Sequence, residues 1–299
     1  MAEKVEKKIF KQGSTTYYWS ASFFPKSYRK DVFALYSFVR VADDYVDEQP
    51  AQPEKLLELE TVYLAAITDP SFDVITHGWD DIDTRVVKNI VRLSHKYKFD
   101  QKWVESFFWA MKQDIDSSGY KSLEDSLKYV HGSAEVIGLM MAKIMGLEEA
   151  SFEAAMHQGR AMQWINFIRD IDEDNDLNRM YFPRDDLRKY NLKDLSRETA
   201  ESQKADFTRF MNLQLKRYKQ WQDKADEGMQ YIPLRLRSAL KTAIEMYNWT
   251  AMQIEKDPFI IYDKKVRPGK IRILTSGTKR VAKRAGRFLT KQENIVTKK

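Results

Sequence analysis

The sequence contains no cysteine, which excludes disulfides, thiolate metal sites and thiol nucleophiles. Glycine and proline are also scarce, at 11 and 8 of 299 residues, and they mostly mark breaks between helical patterns. No apolar run reaches the roughly 18 residues that suggest a membrane span. The N-terminal residues lack the apolar core of a secretory signal. These absences predict a cytoplasmic protein.

Acidic residues are almost missing after residue 263, where 13 lysines and arginines accompany a single acid, Glu293. The formal net charge of the whole chain is only +6, so the part before this tail is net negative. The high isoelectric point therefore belongs to the tail. Because the main part of the chain carries no excess of positive charge, we expect no nucleic-acid partner for it.

Apolar residues recur with a helical period throughout the chain, and no segment shows the alternation of a strand. This pattern predicts an all-α protein, and the absence of internal repeats or long linkers favours a single domain. We predict an N-terminal extension over 1–12, a helical domain over 13–263 and a basic tail over 264–299. The predicted helices span 27–47, 53–68, 81–97, 101–117, 122–146, 149–176, 196–227 and 231–256, with a last one near 271–289. Asp100 and Ser122 are predicted N-caps.

One acidic motif lies in a stretch that is free of glycine and proline. Residues four apart share a helix face, so Asn166, Asp170 and Asp174 form a column of oxygen-bearing side chains, which Gln163 extends by one turn. A calcium loop is excluded, because Asn175 takes the place of its glycine and its final glutamate is missing. A solvated acidic helix end and a magnesium site completed by water and phosphate remain open.

A second acidic motif lies more than 100 residues earlier. Asp43 and Asp47 share a helix face, Arg40 lies one turn before Asp43, and Tyr36 lies one turn before Arg40. A magnesium site that binds a diphosphate needs two acidic helices facing each other and a cation for the phosphate. The two motifs together predict such a paired site.

Together with the segment 178–183, Asn-Arg-Met-Tyr-Phe-Pro, the two motifs resemble those of the squalene and phytoene synthases, the head-to-head prenyltransferases. The resemblance extends from about Gly13 to about Tyr247. It implies an all-α, isoprenoid-synthase-type helical bundle around a deep central cavity, with the two motifs facing each other across its mouth.

The resemblance also implies roles for individual residues. The implied Mg²⁺ ligands, whose aspartates we expect to be catalytic, are Asp43, Asp47, Asn166, Asp170 and Asp174. The implied diphosphate or substrate contacts are Ser14, Thr15, Thr16, Tyr36, Arg40, Gln163, Arg169 and Tyr247. Tyr129 and Tyr181 are the candidates for handling the intermediate or the final proton. Gly13 and Thr15 stand where relatives often have a basic residue. From its neighbours alone, Tyr247 is also consistent with an ordinary buried tyrosine.

Small residues interrupt the apolar helix predicted over 122–146, namely Gly132, Ser133, Ala134 and Gly138. Glycine inside a helix costs about 1 kcal/mol relative to alanine, so a packing or ligand reason is expected. Two explanations remain: close contact between helices, or a channel for the substrate. The resemblance favours a channel for a prenyl tail, and within the family the stretch is more similar to phytoene synthases than to squalene synthases.

The resemblance implies a reaction in which two geranylgeranyl diphosphates condense head to head to phytoene, through prephytoene diphosphate. The implied cofactor is Mg²⁺, with Mn²⁺ as an alternative, and no NADPH is expected for a phytoene synthase. A squalene or dehydrosqualene synthase acting on farnesyl diphosphate is an alternative within the family. A non-catalytic, membrane-associated assembly factor with the same fold is an alternative from another class.

The basic tail resembles an amphipathic helix over 271–289, with apolar residues on one side and cations on the other. Such a helix can lie on an anionic membrane surface. It can equally be a last bundle helix with a solvated basic face. Peripheral membrane contact through this tail is therefore one of two open interpretations.

Overall fold

A computed structural model describes residues 20–47, 50–72, 74, 81–115 and 119–278. Every regular element within these ranges is a helix, which confirms the prediction of an all-α protein. No helix in the described ranges is both long and apolar enough to cross a membrane. The predicted tail helix is only partly covered: residues 270–278 are helical, and the rest lies outside the described residues. Membrane contact through the tail stays a prediction, as do the proposed domain limits.

The α-helices over residues 26–263 follow one another along the chain. They are α1 (Lys26–Asp47), α2 (Pro53–Thr68), α3 (Asp81–Tyr97), α4 (Gln101–Gln113), α5 (Leu123–Val130), α6 (Val136–Met145), α7 (Phe152–Arg169), α8 (Ile171–Asp176), α9 (Arg184–Lys189), α10 (Arg197–Ser202), α11 (Lys204–Glu227), α12 (Leu234–Lys256) and α13 (Ile260–Asp263). The short helix α13 was not predicted.

The predicted N-caps are confirmed. The Asp100 side chain accepts a hydrogen bond from the backbone N–H of Lys102 at 3.0 Å. Ser122 and Asp125 form a reciprocal capping box at the start of α5. Each cap satisfies backbone donors that a helix start leaves without a partner. These local signals fix where α4 and α5 begin.

Three of the predicted helices are interrupted, which corrects the sequence interpretation. The segment 122–146 contains a π-helical turn, His131–Glu135, between α5 and α6. The segment 149–176 breaks at Asp170, whose φ and ψ are −101° and 13°, and the segment 196–227 breaks at Gln203. Asp170 still accepts a backbone hydrogen bond from Asp174 at 2.8 Å. The acidic column therefore bends at Asp170 without being separated.

The core is centred on α7, which packs along α11 and against the π-helical turn. The Trp164 side chain is fully buried on α7. Its ring meets Trp221 of α11 edge-on, with the ring centroids 5.1 Å apart, and it meets Phe182 in the same way at 5.5 Å. Burying aromatic side chains of this size contributes strongly to stability. Aromatic packing thus anchors α7, the helix on which the second acidic motif begins.

The small residues around the π-helical turn allow helices to approach backbone to backbone. A Cβ added at Gly138 would lie 2.3 Å from the Ala155 carbonyl oxygen, and one added at Gly159 would lie 2.4 Å from the Ala134 carbonyl oxygen. Ser133, Ala134 and Gly138 also line the central cavity described below. Close packing between helices thus explains why a glycine occupies position 138. The same stretch also forms part of the cavity wall.

Replacing Gly138 by alanine is expected to lower the free energy of unfolding by about 1–3 kcal/mol, the usual cost of overpacking. Helix propensity alone would predict the opposite change, because alanine is favoured over glycine inside a helix by about 1 kcal/mol. Denaturant unfolding measures the change. The matched control is Gly269→Ala, where no atom lies within 4 Å of an added Cβ and a change within about 0.5 kcal/mol is expected. Equal stability of the Gly138 variant and the parent would refute the close contact.

Candidate active site

A cavity of about 660 Å³ lies between α1, α6, α7 and α12. One end is polar and carries both acidic motifs. The other end is lined mainly by apolar and small side chains. A cavity of this kind suits a ligand with a charged head and a long apolar tail.

The predicted site residues that the structure describes all line this one cavity. They are Tyr36, Arg40, Asp43, Asp47, Tyr129, Gln163, Asn166, Arg169, Asp170, Asp174, Tyr181 and Tyr247. The remaining three, Ser14, Thr15 and Thr16, lie outside the described residues. The chain therefore brings together two motifs that are more than 100 residues apart in sequence.

The first motif forms the end of α1, where an arginine of the same helix pairs with two of its aspartates. Arg40 donates a hydrogen bond to Asp43 at 2.9 Å and also pairs with Asp44. Burial and the neighbouring Asp47 carboxylate raise the pKa of Asp43 to about 8. The Arg40 guanidinium favours the ionised form of Asp43, but desolvation and the like charge of Asp47 outweigh it and hold the pKa of this carboxyl above its usual range.

The second motif spans the junction of α7 and α8. Arg169 donates to Asp170 from Nε at 2.8 Å, and its Nη2 contacts the other carboxylate oxygen. Burial opposes ionisation of Asp170, but the Arg169 guanidinium outweighs it and lowers the pKa of this carboxyl. Burial, together with Asp170, raises the pKa of Asp174 to about 8. The two aspartates of one motif thus have opposite electrostatic environments.

The donor set of the two motifs fits Mg²⁺, which prefers carboxylate and amide oxygens with water and phosphate completing an octahedron. Within the ranges that the structure describes, the buried Oδ1 atom of Asn166 has no hydrogen-bond partner, and Asn166 lines the cavity. Across these same ranges, no three acidic or histidine side chains are arranged as a ready-made metal cluster. Arginines instead hold Asp43, Asp47 and Asp170. The metal-ligand assignments remain predictions.

Asp114 is a site residue that sequence reasoning missed. Its carboxylate accepts hydrogen bonds from the Tyr129 hydroxyl at 2.6 Å and the Tyr181 hydroxyl at 2.9 Å. Burial raises the pKa of Asp114 to about 6, although Arg179 and the two hydroxyls favour its charged form. A usable signal was present, because Asp114 continues the apolar stripe of α4 three residues after Met111. An acid on a buried face is costly without partners.

Aromatic rings form the wall beside this carboxylate. Phe167 and Tyr181 stack with their ring centroids 4.4 Å apart, and the Tyr129 and Tyr181 centroids are 5.1 Å apart. All three residues line the cavity. The three rings form a buried, largely apolar wall.

Two cations at the polar end were also missed, because residues 265 and 267 fall within the predicted basic tail. Lys265 pairs with Glu173 and lies 3.4 Å from an Asp170 carboxylate oxygen. Arg267 lines the cavity, and burial together with Arg169 lowers the pKa of its guanidinium. Their positions depend on the chain folding back after α13, which no local pattern predicts.

The apolar end lies far from the acidic motifs. On α7, Asn166 lies at the polar end and Ala155 lines the cavity eleven residues earlier. At a rise of 1.5 Å per residue, these positions are about 17 Å apart along the helix. Ala154, Ala225, Gly228 and Ala243 also line the cavity. These small side chains leave room for a long tail.

Comparisons of the sequence with known proteins point to one family. A sequence profile described as squalene/phytoene synthase matches residues 10–273. The chain is 26% identical over 267 residues to phytoene synthase 1, chloroplastic, of Arabidopsis thaliana, covering 86% of this chain and 60% of that protein. It is 27% identical over 261 residues to the 15-cis-phytoene synthase of Pantoea ananas, covering 82% and 79%.

Solved structures share the fold. The chain superposes on a dehydrosqualene synthase with a TM-score of 0.73 and 18% identity, covering 95% of this chain and 97% of that one. It superposes on squalene synthase HpnC of Alicyclobacillus acidocaldarius with a TM-score of 0.68 and 20% identity, covering 90% and 95%. These likenesses confirm the predicted isoprenoid-synthase-type bundle around a central cavity.

Proposed function

The chain belongs to the squalene/phytoene synthase family, and on that premise we propose that it is a Mg²⁺-dependent phytoene synthase that condenses two geranylgeranyl diphosphates. The observation that supports this proposal best is the placement of two acidic motifs from separate helices at one end of a single deep cavity. Neither a solvated acidic helix end nor an ordinary core tyrosine explains why these side chains converge.

In the proposed reaction the first substrate loses its diphosphate, and the resulting allylic cation alkylates the second substrate. Loss of a proton then gives the cyclopropyl intermediate prephytoene diphosphate. A second ionisation releases the other diphosphate, and rearrangement followed by loss of another proton gives phytoene. When bound, Mg²⁺ would neutralise the diphosphate charge and make it a better leaving group. Asp43, Asp47, Asn166, Asp170 and Asp174 would hold it.

The arginines at the polar end bind the diphosphates in this proposal. Arg40, Arg169 and Arg267 all line the cavity, and guanidinium groups match phosphate oxygens through paired hydrogen bonds. Lys265, 3.4 Å from an Asp170 carboxylate oxygen, and Arg267, which lines the cavity, also offer cations to the diphosphates.

The residues beside Asp114 handle the carbocations and protons. The π faces of Tyr129, Phe167 and Tyr181 stabilise positive charge in a dry cavity. The Tyr129 and Tyr181 hydroxyls both donate to the Asp114 carboxylate. A tyrosine oxygen that accepts the final proton can therefore pass its own proton to Asp114.

The separation of two cavity-lining residues along α7 supports the C20 substrate. A prenyl unit adds four chain bonds of about 1.5 Å, or roughly 5 Å of extended length. Three units span roughly 15 Å and four span roughly 20 Å. The polar end and Ala155 are separated by about 17 Å along α7, so a C15 tail would stop short of Ala155 and a C20 tail would pass it.

The deciding experiment compares substrates. Purified protein with geranylgeranyl diphosphate and Mg²⁺ is expected to yield phytoene, EDTA is expected to abolish turnover, and added Mg²⁺ or Mn²⁺ is expected to restore it. Products from farnesyl diphosphate, with and without NADPH, are measured in parallel. Efficient formation of squalene or dehydrosqualene with no C40 product would assign the chain to the farnesyl-using branch. No hydrocarbon under any condition would favour a non-catalytic assembly factor.

A further inference from the structure

Arg179 belongs to the segment that follows the second acidic motif, and the proposed function gives it no role. Its side chain is 8% exposed. It lies where the end of α1, the end of α4 and the segment after α8 come together. Asn178, just before it, has a φ of +55°. Asparagine tolerates this left-handed conformation better than most residues, and it turns the chain back after α8.

The Arg179 guanidinium contacts the ends of two other helices. One nitrogen pairs with the Asp47 carboxylate. The other donates to the Val46 carbonyl at 2.8 Å and reaches the Asp114 carbonyl at 3.4 Å. The backbone N–H of Arg179 donates to the Asp174 carbonyl at 2.8 Å. One residue thus connects the first acidic motif to the second.

The geometry of these acceptors suits an arginine. Val46 and Asp47 end α1, and Asp114 directly follows α4. Carbonyls at helix C-termini lack intrahelical donors and carry partial negative charge. A guanidinium satisfies several acceptors at once because its donors form a rigid fork, whereas a lysine ammonium is a flexible point charge.

We propose that Arg179 is a positioning residue that fixes the distance between the two acidic motifs, by joining Asp47 to the backbone of Asp174. The effect on metal binding rests on the proposed function, whereas the effect on distance does not. Groups that orient metal ligands from outside the coordination sphere typically change metal affinity by about 10- to 100-fold.

The first test measures the distance directly. Because the chain has no native cysteine, spin labels can be placed on Glu54→Cys, at the start of α2, and Asp172→Cys, on α8. Both positions are exposed, and α2 is tied to the end of α1 by the Gln52 N–H donating to the Tyr45 carbonyl at 2.7 Å. The distance between the two labels is measured by double electron–electron resonance. Compared with the parent, Arg179→Gln is expected to give a broader and shifted distance distribution, and Arg179→Lys an intermediate one.

The matched control is Arg217→Gln, which breaks another largely buried ion pair. Arg217 pairs with Asp186, with side-chain exposures of 16% and 10%, and Arg217 does not line the cavity. This variant is expected to lose stability without changing the labelled distance. An unchanged distance distribution in Arg179→Gln, with a stability loss like that of the control, would overturn the proposal.

The second test measures binding of Mg²⁺ together with inorganic pyrophosphate by calorimetry, below the unfolding temperature of each variant. Arg179→Gln is expected to weaken binding by about 10- to 100-fold, Arg179→Lys less, and Arg217→Gln not at all. Parental affinity in Arg179→Gln would overturn the link to the metal site. If the parent protein itself binds no Mg²⁺ with pyrophosphate, the proposed function is overturned, while the distance measurement still decides whether Arg179 positions the motifs.

Discussion

Asp170→Asn is expected to lower kcat/KM for geranylgeranyl diphosphate by about 10³-fold. A metal that stabilises a leaving oxyanion contributes several kcal/mol, and each 1.36 kcal/mol corresponds to a factor of ten. Asparagine keeps the shape of the side chain but removes the charge that binds the metal. Arg169 and Lys265, which contact this carboxylate, would then repel a divalent cation instead of being balanced by Asp170.

The control for this prediction lies two residues away. Asp172 is exposed on α8 and does not line the cavity, so Asp172→Asn is expected to retain nearly full activity. The double variant Asp43→Asn with Asp170→Asn is expected to abolish turnover with unchanged helical content by circular dichroism. Full activity in the double variant would end the argument for a metal site.

Ala155→Phe is expected to reverse the preference for tail length. At about 17 Å from Asn166 along α7, a phenyl ring would block the fourth prenyl unit and leave space for three. Excluding five carbons at about 0.8 kcal/mol each removes about 4 kcal/mol of burial. Turnover of geranylgeranyl diphosphate should therefore fall by about 10²- to 10³-fold, with little change for farnesyl diphosphate.

The comparison of both substrates in one variant separates this effect from misfolding. Glu153→Phe places the same ring two positions away, where the parent side chain is 82% exposed, and it is expected to leave the substrate ratio unchanged. An equal loss for both substrates in Ala155→Phe, with an intact fold, would show that the tail does not extend along α7.

The acidic motifs were readable from the sequence because their geometry is local. Asp43 and Asp47 share one helix, and Asn166, Asp170 and Asp174 follow the same spacing, so periodicity alone predicted which side chains would meet. The prediction that the two motifs face each other came from the chemistry of diphosphate binding and from the family resemblance. The break at Asp170 was missed, since nothing in the pattern distinguishes a bent column from a straight one.

The groups that sequence reasoning missed depend on contacts between distant segments. Asp114 is recognisable only once Tyr129 and Tyr181 converge on it from other elements. Lys265 and Arg267 reach the cavity because the chain folds back after α13. Arg179 was visible within its motif, but its partners Val46 and Asp47 are more than 130 residues away. Composition and periodicity do not indicate which residues far apart in the sequence come into contact in the fold.

The most direct test of the account is a crystal structure with Mg²⁺ and inorganic pyrophosphate. The account predicts metal ions at the polar end of the cavity, bound to pyrophosphate and to oxygens of both acidic motifs, with distances of about 2.0–2.1 Å. Carboxylates of Asp43 and Asp170 on the same metal–pyrophosphate cluster would establish the paired site. Metal and pyrophosphate bound by one motif alone, or outside the cavity, would contradict it.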